Sequence, residues 1–164
     1  MSLDDLAAGL EVTATQRDRG VAIADDTGAS TAQRLRPFAD ALPCTPEAAA
    51  TVVSAYANGG SVGDAARDAN VAPVTAAKTL YLLGEEVSPF GPTGRNVVRD
   101  WLDARISRTT AKRLTSADDD EFALAVYVET HDRIPAAQEA VADALAVEQD
   151  DPLADARSDL DDLL

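Results

Sequence analysis

The stretch Ser61–Gly84, SVGDAARDANVAPVTAAKTLYLLG, decides the fold: it reads as a helix, a tight turn and a second helix. Ser61 has the side chain of an N-cap, and Asp64, three residues on, completes a capping-box pattern. Val62, Ala65, Ala66 and Ala69 then recur at helical spacing. Asn70 tolerates the left-handed conformation that a tight helix exit needs, and Val71 is the apolar pin of the turn. Pro73 stands where a first helical turn accepts it, because the N–H it lacks would have no intrahelical partner there. Ala76, Thr79, Leu80 and Leu83 mark the inward face of the next helix, and Gly84 closes it.

Working outward, Thr45-Pro46-Glu47 supplies a cap, a proline and an early acid in the order a helix start requires. Ala49, Val52, Val53 and Tyr56 give that helix one apolar stripe, and Asn58-Gly59-Gly60 stops it. Residues 46–84 are therefore expected to form a tri-helical unit. Its order of small residues, turn residue, apolar residue and helix resembles the helix-turn-helix of resolvase-type and homeodomain-like DNA binders. The residues that carry the resemblance are Ala65 and Ala66, Asn70 where glycine is usual, Val71, and Ala76 with Leu80 on the core side. The same pattern also suits a helical hairpin that only packs a core.

Glu85–Thr93 holds Ser88-Pro89 and Gly91-Pro92, so residues 85–93 read as a linker. From Gly94, Val97, Val98, Trp101, Leu102 and Ile106 again fall at helical spacing. Ser107 caps a short helix, Arg108–Leu114, and Thr115 or Ser116 is expected to open another. Asp118–Glu121 puts four acids in a first helical turn, where they complement the helix dipole, and the apolar run Phe122–Val128 reads as buried on more than one side. His131-Asp132-Arg133 ends that helix. Ile134-Pro135 begins a last one through Val147, so residues 94–147 make a second helical unit. A faint internal echo sets Val52-Val53-x-x-Tyr56 against Val97-Val98-x-x-Trp101, which points to a degenerate second copy of the first arrangement.

The flanks read differently. Residues 1–45 read as a partly ordered arm, with either a small β-hairpin over Glu11–Ala24 or a mobile arm carrying acids and Arg17, Arg19, Arg34 and Arg36. Ser30 or Thr31 caps a helix through Arg36, which Pro37 bends or ends, anchored by Leu35, Phe38 and Leu42. Residues 148–164 are an acidic tail whose large apolar residues are Leu153, Leu160, Leu163 and Leu164.

The chain of 164 residues carries 29 acids against 14 basic residues, a net charge of −15, with only Lys78 and Lys112 as lysines. With 46% apolar residues it is not simply an acidic disordered chain. Asp-rich, Lys-poor and globular together resemble a protein of a salt-accumulating archaeon, in which such a charge is surface adaptation. Cys44 is the lone cysteine, so no intrachain disulfide forms, and no apolar run approaches a membrane span. The N-terminus lacks the basic start of a signal peptide, and the expectation is a cytoplasmic protein.

Residues 94–117 carry +4 while residues 118–164 carry −13. The basic island is Arg95, Arg99, Arg105, Arg108, Lys112 and Arg113, set against Asp100 and Asp103. It reads either as a phosphate-binding face or as arginines paired with the acidic C-terminal third, since a guanidinium takes a carboxylate bidentately. The outward positions of the reading helix would be Val74, Thr75, Ala77, Lys78 and Tyr81. Thr75 and Ala77 could meet a thymine methyl and Lys78 a guanine or a phosphate, a thin set for base readout. A helix so apolar outside would also suit docking on protein. His131 is the one histidine, no metal-ligand spacing, phosphate loop or nucleophile elbow is present, and no catalytic, metal or cofactor role is expected.

The segments PCTPEAAA (Pro43–Ala50), SVGDAARDANVAPVTAAKTLYLLGE and FALAVYVETHDRIPAA (Phe122–Ala137) look like a small haloarchaeal family labelled conditioned-medium-induced protein 4. That resemblance implies a cytoplasmic, helical protein bearing a helix-turn-helix and favours regulation over metabolism. The expectation is an all-α protein that binds nucleic acid, with Val74, Thr75, Ala77 and Lys78 at the bases and the Arg95–Arg113 island on phosphates. The alternative is an adaptor that uses the same motif on a protein partner in a nucleic-acid-processing or regulatory complex, with homodimer formation left open.

Overall fold

The computed structural model describes residues 30–149, and all regular elements among them are helical. The N-terminal hairpin expected over Glu11–Ala24 and the acidic tail beyond 149 fall outside these residues. The helices are α1 (Thr31–Leu35), α2 (Pro46–Ala57), α3 (Val62–Asp68), α4 (Pro73–Leu82), α5 (Pro92–Leu102), α6 (Arg108–Thr115), α7 (Asp119–Thr130) and α8 (Pro135–Gln149). A 3-10 segment, Arg36–Ala41, follows α1, because Pro37 cannot continue the α-helical ladder.

Local chemistry sets most of these bounds. Ser61 and Asp64 form a reciprocal capping box at the start of α3, and Ser30 with Gln33 and Asp118 with Glu121 form two more. Thr45 and Ser107 cap α2 and α6 through their hydroxyls. Asn70 leaves α3 at φ 53°, the left-handed exit its side chain tolerates. Ser116, expected to open a helix, instead ends α6 at φ 55°, and the next helix waits for the better cap at Asp118. Gly84 closes α4 at φ 105°, a left-handed conformation that favours glycine.

Two apolar cores form. The first gathers Leu35, Leu42, Ala49, Val52, Ala65, Ala66, Ala76 and Leu80 from α1 to α4, and α8 adds Ala137 and Val141. The second holds Val98 of α5, Ala111 of α6, and Phe122 and Ala125 of α7, with Trp101 meeting the Phe122 ring edge-on at 5.2 Å between centroids. The expected unit at 94–147 is thus divided. Helices α5, α6 and α7 make the second core, while α8 turns back to lie along α1. The return is tied where the Ile134 amide donates to the Leu82 carbonyl at 2.9 Å, which places the next apolar face, Ala137 and Val141, over the first core.

The faint echo has a clear structural counterpart. The N-caps of α2, α3 and α4 (Thr45, Ser61, Ala72) and of α5, α6 and α7 (Gly91, Ser107, Asp118) stand 46 residues apart, each to each. The left-handed turns at Asn70 and Ser116 share that spacing, as do the buried pairs Val52 and Val98, Ala65 and Ala111, Ala76 and Phe122. The second three-helix unit therefore repeats the first, cap for cap. The sequence echo, at 45 residues, set Val97 against Val52 and so ran one residue out of this register, in which buried Val98 is the counterpart of Val52.

Candidate functional site at the seam between the two units

The third helix of each unit packs on the other, α4 against α7, and this seam holds the residues of most chemical interest. From Val74 to Leu82 every residue of α4 is buried or half-buried. The outward face expected to read bases is therefore partly buried. Ala77 is only 5% exposed, Val74 and Thr75 are half-buried, and Lys78 lays its ammonium 4.9 Å from the centroid of the Tyr127 ring. The reason is the apolar character of α4 itself: with Val74, Ala77 and Tyr81 on its outer side, water is a poor neighbour and α7 takes the place.

Polar groups lock this contact. The Tyr81 hydroxyl donates to the carbonyls of Val128 (3.0 Å) and His131 (2.8 Å), which share its one proton at the end of α7. The His131 ring stacks on Tyr127 at 3.8 Å, and Nδ1 lies 3.2 Å from the Tyr127 carbonyl. Burial, and then the nearby Tyr81, push the Tyr127 phenol above its ordinary value, so it stays neutral. Beyond α7, Arg133 stacks 5.3 Å from the Tyr81 ring centroid, donates through Nη1 to the Gly84 carbonyl (2.9 Å) and through Nη2 to Glu86 (2.5 Å).

The basic island is brought together, but largely around carboxylates. Arg95 and Arg99, one helical turn apart on α5, each give Nε to one oxygen of Glu129, at 2.7 and 2.6 Å. The Glu129 side chain is 6% exposed. Burial pushes its carboxyl up, yet the hydrogen bonds and charges of the two guanidiniums outweigh that and leave it below its ordinary value. Arg108 and Lys112 share Asp119, at 3.1 and 2.8 Å. Their hydrogen bonds and charges, Lys112 foremost, hold that carboxyl down as well. Arg105 pairs with Asp100 and Asp103. Arg113 alone of the six has no carboxylate partner among the described residues.

Sequence reasoning missed Glu129, Tyr127 and Arg133. A signal for the first existed: Glu129 is the one acid that follows the apolar run Phe122–Val128 within α7, and Arg95 and Arg99 sit four apart on one face of α5. Among the described residues no group of three histidine, cysteine or carboxylate side chains is placed to hold a metal ion. No helix among them is long and apolar enough to cross a membrane.

The fold and seam define a class: an all-α protein of two repeated three-helix units, paired through their third helices and strapped by a returning α8. The chain belongs to the family DUF7858, described as a family of unknown function, whose model matches residues 1–162. No curated protein matches the chain, and no solved structure does.

Proposed function

We propose that the protein is a regulatory adaptor without catalytic activity, built on two helix-turn-helix units and acting through contacts with a protein partner. One observation favours it over DNA binding: α4, the helix that would enter a major groove, packs on α7, and none of its residues from Val74 to Leu82 is fully exposed. An α-helix reads bases only when its outer side chains reach the groove floor, and here Ala77 is buried and Lys78 lies over Tyr127 of α7. The island gives the same support, since five of its six cations already hold carboxylates. A phosphate backbone would have to displace them. The acid excess fits a salt-rich cytoplasm, where the partner would be one in a nucleic-acid-processing or regulatory complex.

DNA binding by the first unit requires α4 to be freed from α7. The test is binding of the full chain to random and genomic duplex DNA across a potassium chloride series that begins at low salt. The adaptor reading expects no saturable binding at any salt, for the wild type and Lys78→Ala alike. Saturable binding that survives high salt and is lost in Lys78→Ala would overturn it, because the reading helix would then be working as one.

A further inference from the structure

A recess of about 170 Å³ opens at one end of the seam, lined by Tyr81, Glu86, Ser88, Arg95, Val128 and Arg133. We infer that it is a binding site for a small oxyanion, a phosphate or a small carboxylate, held between Arg95 and Arg133. The inference is independent of the adaptor reading.

The walls are rich in donors and poor in fixed acceptors. Arg95 spends Nε on Glu129, and its two terminal nitrogens have no acceptor among the described residues. Arg133 fixes one terminal nitrogen on the Gly84 carbonyl and offers the other to Glu86, whose side chain is 83% exposed. Glu86 is thus a solvated carboxylate that stands where a ligand oxygen would stand, and it leaves at little cost because an exposed pair holds weakly. The recess is lined by Arg95 and Arg133 against Glu86, and Glu129 behind Arg95 is shared with Arg99, so the cluster is net positive within a chain of charge −15. Withdrawal of Glu86 raises that excess. Planar guanidiniums suit the paired oxygens of phosphate and carboxylate, and Val128 and Tyr81 complete the wall of the recess. The volume admits an anion of phosphate or acetate size and excludes a nucleotide. Since Arg95 belongs to the second unit and Arg133 is anchored on Gly84 of the first, a bound anion would bridge the two.

The experiment is a titration of the full-length ¹⁵N-labelled protein with inorganic phosphate and, separately, acetate, at ionic strength held constant with potassium chloride. The expected result is saturable shifts of the Arg95 and Arg133 resonances with at least one of the two anions. The tighter anion names the ligand. Glu86→Gln, which removes the internal competitor from an exposed position, is expected to tighten binding several-fold. Arg133→Gln is expected to weaken it at least tenfold. Non-saturable shifts for both anions, or binding indifferent to Glu86→Gln, would overturn the assignment.

Discussion

Glu129→Gln tests the clamp that fastens α5 to α7. The substitution keeps shape and one acceptor oxygen but removes the charge that Arg95 and Arg99 both approach within 2.7 Å. A hydrogen bond to a charged group contributes roughly 1.5–3 kcal/mol, which for two bonds sets an upper limit of about 6. The glutamine keeps one bond. The arginines, with side chains 41% and 52% exposed, recover hydration when released, so the expected loss is about 1–3 kcal/mol. The assay is urea unfolding of wild type and variant over a pH series. Glu129 has its carboxyl pKa depressed in the folded chain, so its contribution is fully present above the unfolded value, about 4.3, and is lost as pH falls through the lower folded value. The gap between the two proteins should hold from neutral pH to about 5 and narrow below that. Because the carboxylate is buried, the gap should also persist in molar salt, whereas Asp100→Asn, at an exposed pair, should show almost none. A gap under about 0.5 kcal/mol at neutral pH, or one that acid does not narrow, would refute the clamp.

Tyr81→Phe removes the hydroxyl that holds the end of α7 and should lower stability by about 1–2 kcal/mol in urea unfolding; an unchanged midpoint would show that the seam rests on its apolar contacts alone. At Asn70, φ 53°, glycine should be neutral or slightly stabilising, while alanine should cost about 1 kcal/mol, read from the same midpoints. Asp64 has its carboxyl held at about 2, first by the Ser61 hydroxyl, then by Arg67. Its NMR titration in Ser61→Ala should move up toward the ordinary 3.8, and a midpoint unchanged in that variant would assign the shift to Arg67.

The all-α fold, the caps at Ser61, Thr45 and Ser107, the exit at Asn70 and the end of α4 at Gly84 were legible in the sequence. Each depends on hydrogen bonds and backbone angles within about four residues, so neighbours in the chain decide them. The role of α4 was not legible in that way. Its periodicity revealed an inner face, and the apolar outer set of Val74, Ala77 and Tyr81 hinted at a protein neighbour, but the neighbour is α7 of the same chain, some 50 residues on. The island at 95–113 had two readings of equal chemistry, and only the tertiary structure set Glu129 and Asp119 of the acidic C-terminal third against four of its six cations. The return of α8 to the first core was likewise invisible, since an apolar stripe says that a helix has a partner and not which one. Caps and turns are local, and the sequence alone determined them. Which face meets which is settled by how whole helices exclude water together, and only the tertiary structure decided that.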